Sequence, residues 1–230
     1  MQFSGYIIDE GPRWMWQLAS SDQVWDVNTD DARLDARGWQ VFHLSGQGAL
    51  PFLQGHLRKV AARGGAGMTP TVSFAADGAP LLLTAGLGAS RTAIAVKDVE
   101  TGEAVGQLAF TLEQALVVAQ GQATPSADSH DRHLGLTGMA LVAEGAGQGV
   151  SAGLASTLTT LMTMNEGYQL AGIPLTLNGE QVPRQVLADN RVPLLGGAYA
   201  SQLSDFELSW PQEQVPSQWR ATLSVSVTIQ

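Results

Sequence analysis

A chain of 230 residues, 44% hydrophobic and 14% charged, with 26 glycines, has the composition of a folded, turn-rich protein rather than a disordered one. Its 21 carboxylates against 12 basic residues, of which Lys59 and Lys97 are the lysines, leave a net charge of −9. That balance excludes nucleic acid and anionic membrane surfaces as partners. Cysteine is absent, so packing must stabilise the fold, and no apolar run approaches the roughly 20 residues of a spanning helix.

The opening MQFSGYIID lacks a basic stretch followed by an apolar run and a small-residue cleavage site, so no secretory signal is expected within it. Residues 3–8 read as a short edge strand that Gly11-Pro12 stops, because proline cannot supply a ladder hydrogen bond. Trp14, Trp16 and Leu18 then share one face at period two, and that face is expected in the core. A second strand over 39–44 sets Trp39, Val41 and His43 against Gln40, Phe42 and Leu44 and ends in Ser45-Gly46-Gln47-Gly48. A third covers 71–74, and Asp77-Gly78 turns the chain into the run 80–83. Runs 92–96 and 105–110 flank Glu100-Thr101-Gly102-Glu103, the composition of a hairpin loop. No strand-then-amphipathic-helix unit recurs, which argues against a parallel α/β enzyme fold, and no fixed period argues for a solenoid.

The stretch 124–200 reads differently, as an insertion with a polar loop, a glycine-rich piece and one or two short helices. Leu154, Leu158, Leu161 and Met162 recur at helical spacing behind Ser151, a suitable N-cap. The last strand, 219–229, is the most regular element. Trp219, Ala221, Leu223, Val225, Val227 and Ile229 alternate with Arg220, Thr222, Ser224, Ser226 and Thr228, giving one dry face and one wet face. So regular a strand must be built into a sheet or become an aggregation-prone edge. The expectation is a mostly β protein, an antiparallel β-sandwich in one domain over 1–230.

The run Ser217-Gln218-Trp219-Arg220-Ala221-Thr222-Leu223-Ser224-Val225-Ser226-Val227 resembles the last strand of the K-eighty-eight-type (F-four-type) fimbrial subunits, chaperone-usher pilins of the kappa class. Phe3-Ser4-Gly5 followed by Trp14-Met15-Trp16 is similar to the family's opening strand and Trp-x-Trp second strand. Gly197-Ala198-Tyr199 lies where a similar turn precedes the penultimate strand. The resemblance implies an immunoglobulin-like sandwich lacking its last strand. Its groove is filled first by a periplasmic chaperone, at the outer-membrane usher, and then by the donor strand of a neighbouring fimbrial subunit. It further implies a location in the extracellular fimbrium, reached through the periplasm, with no cofactor, no metal and no enzymatic activity. Carried over by position, Leu223, Val225, Val227 and Ile229 line one side of that groove and Phe3, Gly5 and Ile7 the other. Two departures stand out: no donor extension precedes Phe3, as in a tip or minor subunit or a trimmed form, and Ile229 replaces a frequent aromatic residue.

Other candidate sites are weaker. Asp128-Ser129-His130-Asp131-Arg132-His133 pairs imidazoles with carboxylates, but a metal would need a third ligand that nothing identifies, so the segment reads as a solvated loop. No G-x-S-x-G elbow or phosphate-loop pattern occurs, and Gly86-Leu87-Gly88 and Gly145-Ala146-Gly147-Gln148-Gly149 read as turns. Trp14, Trp16, Trp39 and Trp219 belong to strand patterns and read as core, whereas Trp25 and Trp210 fit none and are candidates for exposed rings. Any host cell-surface glycan would be met by the inserted region, where Asn165, Glu166 and Tyr168 join polar groups to an aromatic ring. Two other classes stay open on sequence alone, a free-standing carbohydrate-binding sandwich (a lectin) and a cytosolic β-rich enzyme.

Overall fold

The computed structural model describes residues 13–20, 22–44, 46, 48–83, 88–120, 139–143, 150–167 and 182–230. In chain order these form β1 (Trp14–Leu18), β2 (Arg33–Leu34), β3 (Trp39–His43), β4 (Leu50–Leu57) and β5 (Ala61–Arg63). Next come β6 (Pro70–Ala76), β7 (Ala79–Pro80), β8 (Gly88–Asp98), β9 (Ala104–Gln120) and β10 (Met139–Ala143). The rest are α1 (Ala152–Thr163), α2 (Pro183–Ala188), β11 (Pro193–Pro211), β12 (Trp219–Arg220) and β13 (Leu223–Ile229). The architecture is the expected one, an antiparallel β-sandwich with two short α-helices among the described residues.

A large sheet of ten strands follows the order β1-β4-β11-β9-β8-β12, with β3 and β5 joining β11, β2 joining β3, and β10 joining β9. A small sheet, β13-β6-β7, is the second layer. Between them lie Phe74, Ile94, Phe110, Leu112, Phe206 and Leu208 at one end and Leu53, Leu57, Leu116, Leu195 and Tyr199 at the other. The outer face of the large sheet is covered by α1, through Leu154, Leu158, Leu161 and Met162. The strands beneath α1 offer small side chains there, Ala115 and Ala119 from β9 and Ala198 and Ala200 from β11, so the helix lies close. β9 is thus buried on both faces from Leu112 to Ala119, where a one-sided strand would alternate.

Polar groups inside this run are bonded rather than orphaned. The Glu113 carboxylate accepts from the Ser151 N–H at 2.6 Å and from the Gln202 amide at 2.6 Å, while Ser151 caps α1 by accepting from the Leu154 N–H at 3.2 Å. Tyr199 donates its hydroxyl to Gln114 at 2.7 Å, and burial pushes its pKa well above the usual phenol range. The turn joining β6 to β7 has positive φ at both Asp77 (49°) and Gly78 (79°), the geometry that matches strand twist in a two-residue hairpin.

Several expectations are corrected. Residues 219–229 are not one strand: β12 pairs with β8 in the large sheet, Ala221 and Thr222 leave it, and β13 pairs with β6 in the small sheet. An unbroken apolar alternation persists because one core lies under both strands. Gly197-Ala198-Tyr199 is not a turn but the interior of β11, hydrogen-bonded between β9 and β4. Leu18 is 63% exposed, unlike half-buried Trp14 and Trp16 on its face. Trp210 is 2% exposed against Phe42, and Trp25 packs on Phe206 with ring centroids 4.7 Å apart. Both had been candidates for exposed rings, and neither is exposed.

Candidate functional site

The C-terminal strand has one wet face, one dry face and two unlike edges. Ser224, Ser226 and Thr228 are exposed, Ser226 meeting the Ser73 hydroxyl at 2.8 Å, whereas Leu223, Val225 and Val227 are half-buried and Ile229 is 38% exposed. The edge chemistry follows from the ladder with β6. Gln230 donates to the Thr69 carbonyl at 2.9 Å and accepts from the Thr69 N–H at 3.1 Å, and the register runs unbroken from Ile229 opposite Pro70 to Leu223 opposite Ala76. Doubly bonded pairs recur every second residue of an antiparallel ladder. Thr228, Ser226 and Ser224 therefore turn their main-chain groups toward β6, and Leu223, Val225, Val227 and Ile229 turn theirs the other way. Among the described residues no strand pairs with that second edge.

A seam runs along this edge, with a cleft at each end. Near the C-terminal end of β13 a cleft of about 560 Å³ is lined by Trp14, Trp16, Met68, Val227 and Ile229, with Arg13 and Arg63 beside them. At the other end a cleft of about 530 Å³ is lined by Trp25 and Val27 on one side and Trp219 and Ala221 on the other. The residues across the seam thus come from β1 and from the extended segment 22–28 that follows it, in which Trp25 and Val27 face inward at period two.

The walls are built for bulky rings. Trp14 and Trp16 stack with centroids 5.2 Å apart, and the Trp14 indole N–H donates to the Met68 carbonyl at 2.7 Å. They lie on glycines: a Cβ at Gly55 would overlap the Trp16 ring, and one at Gly197 would stand 3.1 Å from Trp14. The residues that sequence placed in a turn thus make the floor under the Trp-x-Trp motif.

The family model for fimbrial major and minor subunits, of the K-eighty-eight type, matches residues 1–230. The chain belongs to this family. Fimbrial subunits of the family are structural rather than enzymatic, and their place is the extracellular fimbrium, in association with other subunits. No curated relative matches this fimbrial subunit. Among its described residues no helix is long and apolar enough to cross a membrane, and no group of three or more His, Asp or Glu could hold a metal ion.

Of the predicted groove residues, Leu223, Val225, Val227 and Ile229 fall together on the seam, while Phe3, Gly5 and Ile7 lie outside the described residues. Trp14 and Trp16 were read from the sequence as core and Trp25 as a candidate exposed ring, Val27 was not singled out, and the position of all four across from β13 was missed. The signal was there in the period-two spacing of both pairs. The candidate glycan residues separate. Asn165 is 1% exposed, with its amide donating to the Leu161 and Met162 carbonyls at 3.2 and 3.1 Å and accepting from the Gly197 N–H at 3.0 Å, so it ties the end of α1 to β11. Glu166 is exposed with its carboxylate 3.9 Å from Arg58, and Tyr168 lies outside the described residues, as does the 128–133 loop.

Proposed function

We propose that this fimbrial subunit is assembled by strand addition, with an extended segment of another subunit lying along the open edge of β13 in the place first held by a periplasmic chaperone strand. The observation carrying this reading is that Leu223, Val225 and Val227 combine half-buried apolar side chains with main-chain groups aimed at an edge that has no described partner. Residues that bury their side chains in a core normally have both edges bonded, because unpaired main-chain groups beside apolar surface are costly. An added strand would satisfy them and place its own alternate side chains against Trp14, Trp16 and Trp25. That is β-augmentation, in which the main chain provides affinity and the pockets provide register. Transfer from chaperone to neighbouring subunit would take place at the outer-membrane usher.

The test is complementation with a synthetic peptide of alternating apolar residues. Binding to the folded state alone raises the unfolding midpoint with peptide concentration, by about 2.7 kcal/mol of stabilisation at 100 times the dissociation constant. Tryptophan emission should shift as the rings along the seam are covered. A protein that unfolds reversibly with an unchanged midpoint at high peptide concentration would reject strand addition.

A further inference from the structure

We infer that the seam selects its incoming strand by side-chain size, taking a large aromatic residue at each end and small residues between them. This rests on the strand-addition reading and adds to it the pattern of the segment that another subunit supplies. The two clefts differ from the stretch that joins them. Val227 and Ile229 line the cleft of about 560 Å³, and Trp219 and Ala221 line that of about 530 Å³, whereas Leu223 and Val225 line neither. Those two side chains rest on filled core. Leu223 packs against the cluster that holds Phe74 and Phe110, and Val225 packs against that cluster and against the one that holds Leu53 and Leu116. An inward side chain laid over them meets close-packed atoms, where added bulk forces strain.

At the ends there is room. The cleft beside Ile229 is lined in part by the side-chain-poor run Gly64-Gly65-Ala66-Gly67, and a Cβ built on Gly65 or Gly67 would meet nothing within 4 Å. Its other walls, the stacked indoles of Trp14 and Trp16 and the Met68 thioether, are surfaces on which aromatic rings pack well. Trp25 and Trp219 provide the same kind of wall at the far cleft. Apolar walls facing a void forfeit dispersion contacts, so a bulky side chain gains most at these two places. Val227 and Ile229 stand eight positions along the chain from Trp219 and Ala221, at most roughly 26 Å at 3.3 Å per residue, and less because the chain changes sheets between them. Inward side chains recur every second residue of a strand, so the two anchors of the incoming segment stand six or eight residues apart.

The test varies the peptide alone, so folding of the subunit is not in play. Peptides alternate threonine with inward alanine and carry two phenylalanines at inward positions four, six or eight residues apart, in a sequence that reads the same from either end. Affinity is read by titration against tryptophan emission. The tightest binding is expected at a spacing of six or eight, and replacing either phenylalanine of the best peptide by alanine should lose about 10- to 100-fold. A third phenylalanine at an inward position between the two should weaken binding by about 5-fold or more, although it adds apolar surface. Affinity that peaks at a spacing of four, that ignores spacing, or that rises with the central phenylalanine would overturn the size profile while leaving strand addition standing. Peptides that bind in no form would remove both.

Discussion

Replacing Val225 tests the seam at its centre. Its side chain is half-buried between the two parts of the inter-sheet core, opposite Phe74 on β6, while Ser226 next to it is exposed and bonded to Ser73. Full burial of a valine is worth about 1.5–3 kcal/mol, so the half already buried contributes about 1 kcal/mol and closure by an added strand would realise the rest. Val225→Asp removes this and obliges a carboxylate to be desolvated when the strand closes. The free protein should lose about 2–3 kcal/mol, and donor-peptide affinity should fall at least about 100-fold. Val225→Thr keeps the shape and adds one hydroxyl; it should fold and lose about 10-fold in affinity, which separates a binding defect from misfolding. Ser226→Asp points to solvent and should change stability by no more than about 0.5 kcal/mol and leave affinity unchanged. Urea unfolding gives the first quantity, and titration of peptide against tryptophan emission the second. Equal affinity in Val225→Asp and Ser226→Asp would refute the assigned register, since a shift of one residue exchanges the two faces.

Asn165→Ala should cost about 2–4 kcal/mol in urea unfolding, because the Gly197 N–H and the end of α1 lose a buried partner; a loss below about 1 kcal/mol would show that the tie is not structural. Gly55→Ala should displace the Trp16 ring and destabilise by about 1–3 kcal/mol, with a change in near-ultraviolet circular dichroism that Gly46→Ala, in open space, does not share. Burial lowers the pKa of His56 below its usual 6.5, so the unfolded chain binds that proton more readily than the fold. The His56 contribution to stability is therefore complete above pH 6.5 and is lost as pH falls through and below it. The melting temperature of His56→Gln should fall less than that of the wild type between about pH 7 and pH 5, and parallel curves would reject the assignment.

Much of this fold was legible because local chemistry dictates it. The Asp77-Gly78 turn needs two positive φ angles that these residues accept, the Glu100–Glu103 stretch has the polar, glycine-bearing make-up of a loop, and Ser151 ahead of a 3.6-period run specifies a capped helix. Alternation likewise named Leu223, Val225, Val227 and Ile229 as one face, since side-chain direction in a strand depends on parity alone. Alternation says nothing of partners. That β13 pairs with β6, that the chain changes sheets at Ala221 and Thr222, and that Trp14 and Trp25 form the facing wall are long-range facts decided by packing. The same holds for Gly197: its composition suggests a turn, but the Trp14 ring lying on it makes it the middle of a strand. Residues 112–119 hid their period for a related reason, because α1 on one side and the small sheet on the other make both faces dry. Which face is apolar was therefore settled by the sequence, while what covers that face, and which edge has no partner among the described residues, was settled only by the tertiary structure, because those contacts join residues up to 150 or more positions apart.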